Sequence, residues 1–91
     1  MAVTIRIPTQ LRALAGGESE VSVEAATVSE ALKALDAQHS GFAERLFDEH
    51  GELRRFVNVF VADEDIRFLD GLATPVEDGG VVSIVPAVAG G

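Results

Sequence analysis

The residues whose chemistry stands out are the last in the sequence, Val85-Pro86-Ala87-Val88-Ala89-Gly90-Gly91. A terminal glycine pair adds nothing to a core and loses conformational entropy if it is ordered. It is what a chain needs if its terminal carboxylate must thread a narrow channel into another protein's active site. The expected reactive group is therefore the Gly91 carboxyl, with Ala87, Val88, Ala89 and Gly90 as a slender tail behind it. At roughly 3.3–3.6 Å per residue, the stretch from Pro86 to Gly91 extends about 17 Å. That reaches a buried site while the folded part stays outside, and bulk at position 90 or 91 would block the channel.

The remaining side chains offer weaker chemistry. The sequence has no cysteine, which excludes a disulfide scaffold, a zinc-thiolate site and a cysteine nucleophile. His39 and His50 lack the spacing of a metal pair, and no metal ligand is expected. Asp63-Glu64-Asp65 with Asp70 lacks the spacing and closing glutamate of an EF-hand, so a solvated turn is expected. Ser29 and Ser83 have no histidine nearby in sequence to activate them. Gly16-Gly17 is not a phosphate loop, because no lysine-serine pair follows and no helix starts there. Arg54-Arg55 is a lone basic pair that would meet either the acidic surface or a partner.

Composition narrows the class. Ninety-one residues with 47% hydrophobic content make one small folded domain. Fifteen acidic and seven basic side chains give a net charge of -8. That balance argues against nucleic acid, whose phosphates demand a basic face, and favours solubility and steering toward a basic partner. No apolar run approaches the roughly 18 residues of a membrane span. The opening Met1-Ala2-Val3-Thr4 lacks the basic and long apolar regions of a signal peptide. No membrane contact and a cytoplasmic location are expected.

The elements that must position the tail follow from periodicity. Val3-Thr4-Ile5-Arg6-Ile7 and Glu20-Val21-Ser22-Val23-Glu24 alternate as half-buried strands. Pro8 ends the first, and a short helical turn at Leu11–Ala15 closed by Gly16-Gly17 links the two as a hairpin. Thr27-Val28-Ser29-Glu30 is a capping box. Val28, Ala31, Leu32 and Leu35 behind it form one apolar helical stripe. Phe42 to Phe47 predicts a shorter second helix with Phe42 and Leu46 on one face. Phe56 to Val61 gives the strongest strand signal. Ile66 to Leu69 predicts a weak edge strand or extended loop, and Leu72 to Val76 an irregular crossing. Asp78-Gly79-Gly80 turns the chain into a last strand, Val81 to Val85, with Pro86 at its exit. If Val57, Val59, Val61, Val82 and Ile84 face the helix, then Phe60, Val81 and Val85 lie on the open sheet face. There they form an apolar patch beside the tail, with an exposed phenylalanine as partner anchor.

Four or five strands with one main helix make an α+β, two-layer domain. Three stretches resemble the bacterial ubiquitin-like sulfur carriers, the MoaD/ThiS group of molybdopterin-synthase small subunits and thiamine carriers. They are Asp78 to Gly91, Val59-Phe60-Val61-Ala62-Asp63-Glu64, and the opening strand with its Leu11-Arg12 turn. Within the group, three segments are most similar to the actinobacterial carriers of cysteine biosynthesis. These are the Pro-Ala-Val-Ala-Gly-Gly ending, Phe56-Val57-Asn58-Val59, and Asp63 to Phe68. The extra Phe42-to-Leu53 segment also matches. Gly80 departs from the usual aspartate; it sits in a turn, and the resemblance stands without it.

The resemblance implies a β-grasp fold. Its mixed four- to five-stranded sheet carries one main helix and a short second helix over residues 1–86, with 87–91 a flexible tail. It also implies a carrier and not an enzyme. An E1-like adenylating and sulfurylating enzyme would spend ATP to adenylate Gly91 and convert it to a thiocarboxylate. A cysteine synthase dependent on pyridoxal phosphate (PLP) would take that sulfur onto activated serine, O-phosphoserine. A metal-dependent peptidase would then release the cysteine. The carrier itself would bind no cofactor. Three alternatives stay open: the small subunit of molybdopterin synthase, a ubiquitin-like modifier joined through Gly91 to lysines, and a plain interaction module.

Overall fold

The computed structural model describes residues 1–55 and 57–86, and in it the alternating segments become strands. β1, Ala2–Arg6, buries Val3 and Ile5, and β2, Glu20–Glu24, buries Val21 and Val23. The two pair antiparallel from Ala2↔Glu24 to Arg6↔Glu20. Their link is a 3-10 helix, Thr9–Ala15, that tucks Leu11 and Ala15 under the core. It ends on Gly16 at φ 65, a left-handed conformation that glycine adopts without steric cost.

Helix α1, Val28–Gln38, starts where the capping residues predict. The Thr27 hydroxyl accepts the Glu30 N–H at 3.2 Å. The Glu30 carboxylate reaches one residue further back than a simple box requires, to the Ala26 N–H at 3.0 Å. An isolated bridge between Thr27 and Pro75 holds the chain there, with Val76 N–H on Ala26 O and Val28 N–H on Thr74 O. All four residues of the predicted stripe, Val28, Ala31, Leu32 and Leu35, are fully buried. Helix α2, Phe42–Leu46, buries Phe42 and Leu46. Asp36, off the α1 stripe, caps α2 by accepting the Ala43 N–H at 2.9 Å.

β3, Val57–Val61, turns through Ala62 and Asp63, both at positive φ, into a two-residue strand β4, Glu64–Asp65. This corrects the weak edge strand or extended loop expected at Ile66 to Leu69. Ile66–Phe68 is instead a 3-10 turn, started by the Asp65 carboxylate accepting the Arg67 N–H at 2.9 Å. A side-chain acceptor one position before the run gives the backbone an alternative to the ladder. The predicted crossing is a 3-10 turn, Gly71–Ala73, with Pro75 in the bridge to Thr27. β5, Val81–Pro86, runs one residue beyond the expected exit, since Pro86 itself lies opposite Val57.

The strands form one sheet in the order β2-β1-β5-β3-β4. β1 and β5 are parallel at its centre and every other pair is antiparallel. This is the mixed five-stranded β-grasp arrangement. The helices cover one face, so the inner residues of every long strand meet α1 in a single core that includes Ile5, Leu32, Val59 and Val82. The expected tail, residues 87–91, lies outside the described residues, as does Phe56.

The turn before β5 fixes its register. The Asp78 carboxylate accepts the Ala2 N–H at 2.8 Å. Gly79 N–H donates to Ala2 O at 2.7 Å, and Thr4 N–H donates to Gly80 O at 3.0 Å. A Cβ at Gly80 would sit 2.8 Å from the Glu77 carbonyl oxygen. Gly80 is thus a closely packed turn position, and an aspartate there requires the turn to move. Gly80→Ala should lower the unfolding free energy by about 1–3 kcal/mol, the range for forcing an extra carbon into a packed site. Urea denaturation measures it, and an unchanged midpoint would contradict the close contact.

Candidate functional site

β5 delivers the chain to its ending, so the site is built around the last described residues of that strand. Alternation puts Val82 and Ile84 into the core and leaves Val81 and Val85 exposed on the helix-free face. Across the sheet, Val81 lies opposite Thr4 on β1, Ser83 lies between Arg6 and Phe60, and Val85 lies opposite Asn58. The three residues predicted for partner binding, Phe60, Val81 and Val85, thus share one face around Ser83. Phe60 is only half-buried and is no fully exposed anchor. Ser83 and Asp65 flank it on the neighbouring strands. The predicted functional residues Ala87, Val88, Ala89, Gly90 and Gly91 lie outside the described residues.

The start of β3, beside the strand end, has an unusual closure. β4 is so short that it pairs only with Phe60 and Val61, leaving Val57 and Asn58 without a strand on that side. Arg67 fills the gap. Its guanidinium donates to Asn58 Oδ1 at 2.8 Å, to Val57 O at 3.0 Å and to Arg55 O at 3.2 Å. An unpaired sheet edge is a liability, and the planar fork of arginine satisfies several acceptors at once. Because Val57 and Asn58 lie opposite Pro86 and Val85, this side chain braces the strand pair from which the tail departs.

Arg54 does similar work for α2, donating from Nε and Nη2 to Glu44 O at 3.1 and 3.0 Å. Helices leave their last carbonyls unpaired, and a basic side chain supplies a donor. Between α2 and β3 the Asp48 carboxylate closes a tight loop, accepting N–H groups from His50 at 2.8 Å and Glu52 at 3.1 Å. Arg67 was not legible in this role, since it bonds backbone that only the tertiary fold brings near. Asp48 bonds N–H groups two and four residues on, a local turn of the kind aspartate favours. Phe68 was also missed as a surface residue. It is 87% exposed, because two residues along a 3-10 turn carry it away from the side where Ile66 is buried.

His50 sits 3.8 Å from Glu49 on an exposed loop, and His39 caps the end of α1. Among the described residues no three His, Asp or Glu side chains gather as a metal site, and no helix is long and apolar enough to cross a membrane.

Residues 5–91 match the ThiS family. The sulfur carrier protein CysO of Mycobacterium tuberculosis is 50% identical over a 93-residue alignment covering 100% of both chains. Small archaeal modifier protein 3 of Haloferax volcanii is 44% identical over 66 residues, covering 72% of this chain and 71% of that protein. Among solved structures, one chain of the BexX/CysO complex of Amycolatopsis orientalis superposes with a TM-score of 0.92 at 48% identity. It covers 98% of this chain and 99% of its own.

The loop beside the site carries a pH signature. Backbone N–H donation from Glu52, then from His50, holds the Asp48 carboxyl below its ordinary value, and the charges of His50 and Arg54 add to the effect. A group whose folded value is depressed stabilises fully above its unfolded value, near about 3.9 for aspartate. That contribution is lost as pH falls through the folded value. Carbon-detected NMR titration of the side-chain carboxyl should show a midpoint below that of an ordinary aspartate. A normal midpoint would mean that the two N–H bonds do not persist in solution.

Proposed function

The chain belongs to the ThiS family, and we propose that it acts as a sulfur carrier protein whose working group is the Gly91 carboxylate. The observation that carries this reading is the 50% identity, over the full length of both chains, to a protein named as a sulfur carrier. The fold supports it. β5 occupies the middle of the sheet, buries Val82 and Ile84, and ends on Pro86 just before Ala87-Val88-Ala89-Gly90-Gly91. A rigid strand followed by small residues is a suitable holder for a carboxylate that must be handed into a partner.

The chemistry proposed for Gly91 runs in two steps. A carboxylate is a poor electrophile with a poor leaving group. An E1-like partner therefore joins it to the AMP moiety of ATP and releases pyrophosphate. Sulfide then attacks the acyl carbon and expels AMP, leaving a thiocarboxylate; an enzyme persulfide instead gives an acyl disulfide, which a second enzyme thiol cleaves to the thiocarboxylate and an enzyme disulfide. That anion is a soft nucleophile. In the cysteine branch its acceptor is O-phosphoserine activated on a PLP-dependent synthase, and a metal-dependent peptidase releases the finished cysteine. General acids, bases and oxyanion stabilisation belong to these partners, and the chain acts as their co-substrate in the cytoplasm. With no cysteine in the sequence, no thiol of its own competes for the sulfur.

A second reading has one specific support, the 44% identity to a small archaeal modifier protein. A modifier would share the adenylation step and then form an isopeptide bond from Gly91 to a lysine.

Untagged protein from its own host, treated with iodoacetamide and weighed intact, separates the readings. A carrier should show a fraction with one oxygen replaced by sulfur, alkylated rapidly at neutral pH at Gly91. Gly90→Val should abolish that fraction while leaving the fold unchanged. A chain that stays unreactive when given an activating enzyme, ATP and a sulfur source would sink the carrier reading. Higher-mass conjugates mapped to Gly91 would favour the modifier.

A further inference from the structure

Charge is unevenly placed on this chain. The sequence holds fifteen acidic and seven basic side chains, yet five of the seven basic ones gather where β5 runs out. Arg6 and Arg12 line an open groove on the β1 side, with Ser83 and Val85. Arg54, Arg55 and Arg67 line a second groove at the start of β3. Val57 and Asn58 of that strand lie opposite Pro86 and Val85, so the two grooves flank the strand end from both sides. The start of β5 is the reverse. There Glu24 meets the Met1 ammonium at 2.9 Å, Asp78 and Glu30 lie close enough to add to its field, and Glu77 precedes the turn.

Among the described residues, ion pairs are sparse at the strand end. Arg6 meets Glu20 at 3.9 Å across the β1–β2 pair. Among the described residues, no carboxylate comes within 4.0 Å of Arg12, Arg54, Arg55 or Arg67. Asp48 and Glu52 share the second groove; the Asp48 carboxylate accepts backbone N–H groups and feels the Arg54 charge without forming an ion pair with it. Three guanidinium groups are fixed on neutral oxygens instead. Arg12 donates to Ile7 O at 3.1 Å, Arg54 to Glu44 O, and Arg67 to Val57 O, Arg55 O and Asn58 Oδ1. A guanidinium held this way has lost side-chain freedom before any partner arrives, so it presents a fixed charge with little further entropic loss on docking.

Building on the sulfur-carrier reading, we infer that Arg6, Arg12, Arg54, Arg55 and Arg67 form a collar around the tail root. The collar docks on an acidic rim at the mouth of the partner channel that receives the tail. Fully extended, the residues after Pro86 carry Gly91 about 17 Å beyond the strand end. The collar therefore contacts the rim and stays clear of the reacting carboxyl and of any nucleotide beside it. A chain of net charge -8 would be repelled by an acidic partner in most orientations. Concentrating the positive charge at one pole makes the tail-first approach the favoured encounter. Steering of this kind raises association rates by about 10–1000-fold and fades as salt screens exposed charges over about 8 Å.

Two measurements test the collar. In the first, the full nitrogen-15-labelled chain is titrated with decaglutamate in low salt, and the arginine Nε–Hε and backbone resonances are followed. Shifts should concentrate on the five arginines and on Ser83 to Val85, and binding should weaken about tenfold or more in high salt. Arg12→Glu with Arg55→Glu should abolish them, Arg55→Lys should keep most of the effect, and Glu77→Gln, at the other pole, should change nothing. Absence of binding in low salt, or shifts spread over the whole surface, would overturn the collar. Tighter binding of a twelve-residue RNA than of decaglutamate would overturn the assignment of an acidic protein partner.

In the second, an activating enzyme converts the chain to the thiocarboxylate at varied salt. Arg55→Glu should raise KM about tenfold with kcat unchanged, and should flatten the salt dependence. Conversion of wild type and Arg55→Glu at equal, salt-independent rates would overturn the collar and leave the carrier reading standing. If no thiocarboxylate forms from wild type, the carrier reading falls, and the decaglutamate titration alone decides the collar.

Discussion

The parallel pairing of β1 with β5 is the constraint on which the rest of this structure depends. It joins Thr4 to Val81 and Arg6 to Ser83 and puts the first and last strands side by side in the middle of the sheet. Parallel neighbours cannot be joined by a tight turn, so everything between them must serve as a crossover. β2 returns along the outside of β1, α1 crosses one face, and β3 comes back antiparallel to β5. The helices are then confined to a single face and the other is left open. That open face is where Val81 emerges at the start of β5 and Val85 next to the point at which the chain leaves the sheet. The pairing is held at its start by the Asp78–Gly80 turn, whose carboxylate and backbone bond directly to Ala2 and Thr4.

Most of the fold was legible because its strands are half-buried and its helix is amphipathic. Strict alternation at Val3, Ile5, Val21, Val23, Val82 and Ile84 reports one wet and one dry face, and all six residues are buried. The α1 stripe and its threonine cap were equally plain. The misreadings occur where a local side chain or a distant backbone decides. Asp65 diverts Ile66–Phe68 from a ladder into a 3-10 turn by accepting the Arg67 N–H. Pro86 stays in the strand because an antiparallel neighbour, Val57, extends that far. The close packing of Gly80 on the Glu77 carbonyl was no misreading but had no sequence signal, because it depends on how the turn folds.

The site was legible in a different way. The proposed chemistry sits on a main-chain carboxyl, so the sequence signal for it is the residues with the least side chain, and these lie outside the described residues. The surface around the strand end was read in part. Alternation assigns Val81, Val85 and Phe60 to the open face. It says nothing of how far neighbours cover each one, and Phe60 proves half-buried beside Asp65 and Ser83. The arginines were not legible as a group. They come from segments far apart in sequence, around positions 6, 12, 54, 55 and 67, and only the sheet order brings them to the same end. In sequence, Arg54-Arg55 looked like an isolated pair on an acidic chain.

Arg67 shows why structure and partner contact need not be separate demands here. A lysine at that position could place a charge near the strand end, but its single ammonium has no planar fork with which to span Asn58 Oδ1 and the two backbone carbonyls. The uncovered half of β3 needs those bonds, because β4 stops after two residues. The same bonds stop the guanidinium from swinging, and neutral acceptors leave its charge undiminished. A short edge strand thus creates the vacancy that an arginine fills, and filling it leaves a fixed positive charge beside the root of the tail. The geometry that closes the sheet is also the one that would align the tail with an acidic opening.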